Sequence, residues 1–142
     1  MKQFLPKLIK FKKYSEKSGY LVPFENVKKK IDLGNNCPIK IKRIFFSSAK
    51  KGTFRGDHAH KKCSQFLIPI LGKINVSIEN KNGIIKKNLD YKKKEGYLLK
   101  PLTWCKIKFL SKNSILMVAC DMEYDFKDYI EKYKDFKKQI SK

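Results

Sequence analysis

Between Ile39 and Cys120 the chain is a succession of short apolar or alternating runs, each closed by a turn signal. That punctuation limits the folds open to it. Ile39-Lys40-Ile41-Lys42-Arg43-Ile44-Phe45-Phe46 alternates apolar and basic residues with the period of two of a half-buried strand. Gln65 to Glu79 reads as two strands hinged at Leu71-Gly72-Lys73. Asn80-Lys81-Asn82-Gly83 is a hairpin turn whose glycine can take positive φ. Ile84 to Leu89 is the return strand, and further strands fit Gly96–Lys100, Trp104–Leu110 and Ser114–Cys120. Upstream, residues 4–11 and Gly19–Phe24 make weaker strands, the first broken by Pro6. A lysine-rich connection runs from Asn26 to Pro38.

The tail changes period. Phe126, Tyr129, Ile130, Tyr133, Phe136 and Ile140 recur at three- and four-residue steps, which predicts an amphipathic helix over about 125–140. Asp125 is its expected N-cap, and Asp128 falls in the first turn, where the helix dipole favours acid. Many short strands and one terminal helix predict an all-β barrel or jelly roll with a helical appendage. The length of 142 residues fits one domain, with the barrel over about 4–122.

Composition excludes several function classes. Hydrophobic residues at 42% and aromatics at 13% suit a packed core rather than a disordered chain. No run approaches the roughly 20 apolar residues a membrane-spanning helix needs, and the opening Met-Lys-Gln-Phe-Leu-Pro-Lys lacks a signal-peptide pattern. The cytoplasm is the expected compartment, with no membrane partner. Cys37, Cys63, Cys105 and Cys120 are scattered without a CxxC pair and read as free thiols.

The formal charge of +21 invites a nucleic-acid reading. Of 34 basic residues, however, only Arg43 and Arg55 are arginine, and the base readers of nucleic acid lean on arginine forks. The lysines are spread over the whole chain, so no nucleic-acid partner is expected. A small polyanion such as a nucleotide diphosphate still suits a basic surface.

The chemistry concentrates in Arg55-Gly56-Asp57-His58-Ala59-His60-Lys61-Lys62-Cys63-Ser64-Gln65, which runs on to Gly72 and holds both histidines of the chain. Strand alternation points His58 and His60 to one face, and Gln65 can join them across a bend. A converging imidazole pair suits proton transfer near neutral pH.

These residues resemble the first motif of the cupin superfamily of small jelly-roll barrels, here His58-x-His60-x4-Gln65-x6-Gly72. Metal-binding cupins carry Glu where Gln65 stands and take a third His from a later strand, at the place where this chain has Trp104. Two imidazoles and an amide are a poor set for zinc or iron, so no metal and no cofactor are expected. The wider pattern resembles the dTDP-4-keto-6-deoxyglucose 3,4-ketoisomerases. It comprises Arg55-Gly56-x-His58-Ala59-His60-Lys61-Lys62, the Gly72 turn, Gly96…Pro101-x2-Trp104 and Tyr124-Asp125-x2-Asp128-Tyr129-Ile130-x2-Tyr133-x2-Phe136.

That resemblance implies a metal-free cupin homodimer acting on a dTDP-linked 4-keto-6-deoxy sugar, upstream of the aminotransferases that make 3-amino-3,6-dideoxyhexoses for surface glycans. It implies His60 as the base working between C3 and C4, with His58 holding a sugar oxygen or exchanging its proton. Arg55 would meet the diphosphate or the enolate oxygen. Lys61 and Gln65 are further contact candidates, while Lys62 reads equally as solvated charge. Trp104 either stacks near the nucleotide or fills the barrel mouth. The family's usual tyrosine after Lys-Arg is replaced by Ile44-Phe45-Phe46, and Tyr20 or bound water is a candidate substitute. A 3,5-epimerase-type cupin and a non-catalytic sugar- or nucleotide-binding cupin are the alternatives.

Overall fold

The computed structural model describes residues 6–10, 14–17, 19–21 and 37–142. Twelve strands and one α-helix are present among them: β1 Lys7–Lys10, β2 Tyr14–Glu16, β3 Gly19–Leu21, β4 Arg43–Ser48, β5 Phe54–His60 and β6 Gln65–Leu71 come first. Then follow β7 Lys73–Asn80, β8 Gly83–Asp90, β9 Glu95–Leu99, β10 Trp104–Phe109, β11 Ile115–Cys120, β12 Tyr129–Ile130 and helix α1 Tyr133–Ile140. One five-stranded antiparallel sheet has the order β1-β9-β6-β11-β4 and the other β12-β5-β10-β7-β8, with β2-β3 a separate hairpin. The two sheets stack as a cupin-like sandwich, the all-β fold with a C-terminal helix that the strand pattern implied. No helix among the described residues is long and apolar enough to cross a membrane.

Alternation sorts the side chains into three layers. Between the sheets, Leu67, Leu116 and Val118 of one meet Ile74, Val76, Ile107 and Phe109 of the other. Outside the first sheet, Phe66, Ile68, Leu98 and Ala119 are covered by Cys37, Ile39 and Ile41. The run predicted as one strand from Ile39 therefore splits. Its first half caps the outside of the sheet, and pairing as β4 starts only at Arg43. From there Arg43 and Phe45 turn toward the interior, while Ile44 and Phe46 face out. One alternating sequence thus serves two cores.

The hinge between β6 and β7 falls at Gly72 as expected. Its φ is +75°, and a Cβ there would lie 2.5 Å from the Asn113 carbonyl oxygen, so only glycine fits. The β7–β8 hairpin closes with Asn80 opposite Gly83, and the Asn80 side chain accepts from the Asn82 amide at 2.8 Å.

The predicted tail helix is realised only in its second half. Asp125 caps a single 3-10 turn over Phe126–Asp128, accepting from the Lys127 amide at 2.9 Å. The chain then extends as β12, pairing Tyr129 with His60 and Ile130 with Ala59. The edge of β5 and the pull on Asp128 described below win over helix propensity in this stretch. Helix α1 follows and buries Phe136 against Trp104, Ala59 and Ile130 on the outer face of the second sheet. The strand predicted over Gly19–Phe24 appears as β3, and its last residues lie outside the described set.

Candidate active site

The inner face of β5 is set by a bulge. Cys105 pairs with His58 but Lys106 pairs with Gly56, which leaves Asp57 as the extra residue. Gly56 at φ +79° and Asp57 at φ +63° form that bulge, and a Cβ on Gly56 would stand 2.8 Å from the Cys105 carbonyl oxygen. The extra residue reverses the phase of the strand. Arg55, opposite Ile107, and His58, opposite Cys105, consequently share the interior-facing side, which simple alternation would have denied them.

His60 lies deepest. It is buried, and its Nδ1 sits 3.0 Å from Oδ2 of Asp128. Asp128 is buried as well and is fixed by two backbone donors: the Lys62 amide at 2.8 Å to Oδ1 and the Cys63 amide at 3.2 Å to Oδ2. Each partner segment is anchored in turn, since the Lys61 amide donates to the Asp128 carbonyl at 2.9 Å. A carboxylate can only accept, so the shared proton belongs to Nδ1 and the lone pair of the neutral ring lies on Nε2. That Nε2 is buried and has no hydrogen-bond partner among the described residues. Burial lowers the His60 pKa; Asp128 opposes the shift, while His58 and Arg43 add to it. The ring is held as a neutral base.

Around it stand groups from four elements. The His58 ring is edge-on to His60 at 5.1 Å, and the Tyr129 ring lies 4.3 Å from His60 and 4.9 Å from His58. Arg43 lies beside the Tyr129 phenol and sits over the rings of Phe45 at 5.0 Å and Tyr124 at 5.2 Å. Beneath this layer, Arg43 Nη2 and Gln65 Nε2 both point at Cys120 Sγ, at 3.8 and 3.7 Å. Cys63, whose thiol donates to the Ser64 carbonyl oxygen at 3.3 Å, interacts with the same sulfur, which lowers the Cys120 pKa and raises that of Cys63.

The other residues singled out in the sequence are distributed unevenly. Arg55 is exposed at the rim, bonded only locally to the Phe54 carbonyl at 3.1 Å. Lys61 is exposed and tied to the Lys127 carbonyl at 2.7 Å, lining a cleft of about 460 Å³ with Phe126 and Tyr129 rather than facing the histidines. Gln65 is buried beneath the site, engaged with Cys120. Tyr20 lies on β3, and its side chain is outside the described residues.

Trp104 needs correction. It faces the opposite side of the sheet from His58, edge-on to Tyr133 at 5.3 Å and tilted against Phe136 at 5.4 Å, and its Nε1 donates to Asp57 at 3.1 Å. It lies under α1 on the outer face of the second sheet and does not fill the barrel mouth. Its place under the helix follows from pairing with Glu79, which turns its neighbour Cys105 inward. With Trp104 turned away and the Gln65 amide bound to a thiol, the cupin ligand positions do not compose a metal set.

Sequence reasoning missed Asp128, Tyr129, Arg43 and Cys120 as site residues. The tail motif around Asp128-Tyr129-Ile130 is the available signal for two of them, but its period predicts a helix.

The family model described as FdtA: WxcM-like, C-terminal, matches residues 5–141. The chain belongs to that family, and it is an isomerase of the 3,4-ketoisomerase type. It is 36% identical over 137 residues to the TDP-4-oxo-6-deoxy-alpha-D-glucose-3,4-oxoisomerase of Aneurinibacillus thermoaerophilus, covering 96% of this chain and 93% of that one. Among solved structures it is similar to QdtA, a sugar 3,4-ketoisomerase from Thermoanaerobacterium thermosaccharolyticum in complex with TDP. The TM-score is 0.84 and the identity 28%, over 96% of this chain and 94% of that chain. A histidine-to-asparagine variant of QdtA, in complex with TDP-4-keto-6-deoxyglucose, matches equally at TM-score 0.84 and 27% identity, again over 96% and 94% of the two chains. A dTDP-4-dehydrorhamnose 3,5-epimerase from Elizabethkingia anophelis shares the fold at TM-score 0.71, but only 16% identity, over 87% of this chain and 73% of that chain.

Proposed function

We propose that this protein converts TDP-4-keto-6-deoxyglucose to a TDP-3-keto-6-deoxyhexose by moving protons between C3 and C4, with His60 as the base. The observation that carries this reading is the buried His60–Asp128 pair, which leaves Nε2 bare and neutral. The carbonyl at C4 makes the C3 hydrogen acidic, because the electron pair left behind is shared with the C4 oxygen as an enolate. His60 Nε2 takes that proton. The C4 oxygen becomes a hydroxyl, the C3 hydroxyl gives up its proton as it becomes the ketone, and a proton is delivered to C4. Atoms and electrons balance within the sugar, so no redox partner enters.

The imidazolium formed in the first step is stabilised by Asp128, as the orienting carboxylate of a His–Asp pair does elsewhere. Negative charge on the enolate oxygens needs donors, and the Arg43–Tyr129 pair beside the two rings supplies a fixed cation and a phenol. In this reading Tyr129 takes the part of the phenol missing at Phe45. His58, half-buried and edge-on to His60, holds or exchanges a hydroxyl proton. Arg55 at the rim suits the diphosphate. The complexes of QdtA with TDP and with TDP-4-keto-6-deoxyglucose support the choice of ligand.

Supply of the 3-keto sugar to an aminotransferase making 3-amino-3,6-dideoxyhexoses for surface glycans belongs to the same reading. So does a homodimer, supported by exposed Ile44 and Phe46 on the outer side of edge strand β4. The decisive experiment is incubation with the 4-keto sugar nucleotide in heavy water. An isomerase gives a 3-keto product labelled at C4, with exchange at C3. Exchange at C3 and C5 without a 3-keto product would make the protein an epimerase, and no exchange at all would leave a binding module.

A further inference from the structure

Three donor atoms of unlike chemistry converge behind His60. One ligand atom each from His60, Cys63 and Asp128 lies within 4.8 Å of the other two, and all three residues are buried. The set is one nitrogen, one sulfur and one carboxylate oxygen, the three donor types that zinc accepts together. Its members are not those of the cupin pattern, since His58 and Gln65 take no part and Asp128 and Cys63 stand in none of its positions. Cys63 also interacts with the sulfur of Cys120 in the same buried cluster, a fourth donor adjoining the three.

The spacing also fits. Bonds of about 2.0–2.3 Å in a tetrahedron hold ligand atoms a little over 3 Å apart. The His60 Nδ1 to Asp128 Oδ2 distance is already 3.0 Å, so a metal replacing the shared proton would push the pair apart only slightly. Lys62 and Cys63 amides keep the carboxylate aimed at the spot, as outer-shell donors do in metal sites. Hard cations have no place there, because magnesium and calcium want oxygen ligands and this set offers one carboxylate.

We propose that His60, Cys63 and Asp128 form a binding site for a thiophilic divalent ion of the zinc type, which acts as an inhibitor and not as a cofactor. The ion takes the Nδ1 lone pair, so the ring proton that linked His60 to Asp128 moves to Nε2, and the Cys63 thiol releases its proton to solvent as it ligates. The inhibition, though not the binding, rests on the function proposed above, because a ring ligated through Nδ1 carries its proton on Nε2 and has no lone pair left to take the C3 proton.

The test uses the untagged full chain titrated with cadmium chloride, followed by thiolate-to-metal absorption in the ultraviolet and by calorimetry, with zinc chloride as competitor. One ion per chain is expected, with the thiolate band, displacement by zinc and no response to magnesium. Cys63→Ser should weaken binding by at least about 10–100-fold, the range known for outer-shell changes alone. Circular dichroism checks that this variant is folded, and Asp128→Asn gives a second variant in which affinity falls while the thiolate band weakens. Absence of the band in the wild type, or its persistence unchanged in Cys63→Ser, would overturn the site. Turnover is read separately. If binding occurs as stated but zinc leaves turnover unchanged, the inhibitory role fails while the site stands.

Discussion

Asp128 reaches His60 across 68 residues of sequence and places a carboxylate oxygen 3.0 Å from the imidazole Nδ1. Both carboxylate oxygens are occupied, by the ring nitrogen and by two consecutive backbone amides. Such a group holds one tautomer of the ring and one direction of its free lone pair.

Replacing Asp128 by asparagine therefore does two things. The amide can accept at only one end, so an N–H of Lys62 or Cys63, or the ring itself, loses its acceptor. Turnover should fall by about 10²–10⁴-fold, the usual worth of acid–base catalysis. Stability should fall by about 1–3 kcal/mol, the cost of a buried donor left unpaired. Steady-state kinetics and denaturant unfolding check both, and unchanged turnover would remove Asp128 from the mechanism.

The pH profile carries a sign. Burial lowers the His60 pKa below its ordinary value of 6.5 despite Asp128. The base works when neutral, so the acid limb of kcat/KM should lie below pH 6.5. Folded His60 binds fewer protons than the unfolded ring in that range, so stability should also rise with pH through it. An acid limb centred above pH 7 would mean that a different group controls the reaction.

Much of this arrangement was legible in the sequence. The Gly72 hinge, the Asn80–Gly83 hairpin and the shared face of His58 and His60 follow from local rules of turn chemistry and alternation. What was not legible depends on register. The resemblance puts Trp104 near the nucleotide or in the barrel mouth, but strand alternation alone cannot say which face of β10 is interior, and only the pairing with Glu79 decides it. Arg55 shares a face with His58 only through the Asp57 bulge, a device with no periodic signature. Asp128 reads as a helix-dipole residue in the sequence because Phe126, Tyr129, Ile130 and Tyr133 keep a helical period. A tertiary hydrogen bond and a strand edge take precedence there.

Trp104→Phe separates the two placements. With Trp104 under helix α1, the variant should lose the bond to Asp57 and some packing on Phe136, lowering stability by about 1–3 kcal/mol. TDP affinity measured by calorimetry should stay within a factor of two of the parent. A tenfold loss of affinity would return Trp104 to the nucleotide.

Gly56→Ala tests the bulge. The new Cβ would meet the Cys105 carbonyl at 2.8 Å in a backbone conformation with φ +79°. The expected cost is about 1–3 kcal/mol in unfolding free energy. The variant should also raise KM, because Arg55 and His58 lose their common phase. Wild-type stability and KM together would show that the bulge has no such role.

The central claim is that His60 moves the proton at C3, and solvent-deuterium exchange at C3 measures it directly in the wild type, His60→Asn and His58→Asn. The account predicts that His60→Asn keeps TDP affinity but loses exchange by about 10²–10⁴-fold or more. His58→Asn should lose less, in line with a positioning hydrogen bond worth about 1–3 kcal/mol. Exchange at near the wild-type rate in His60→Asn, with none in His58→Asn, would contradict the assignment and reverse the two roles.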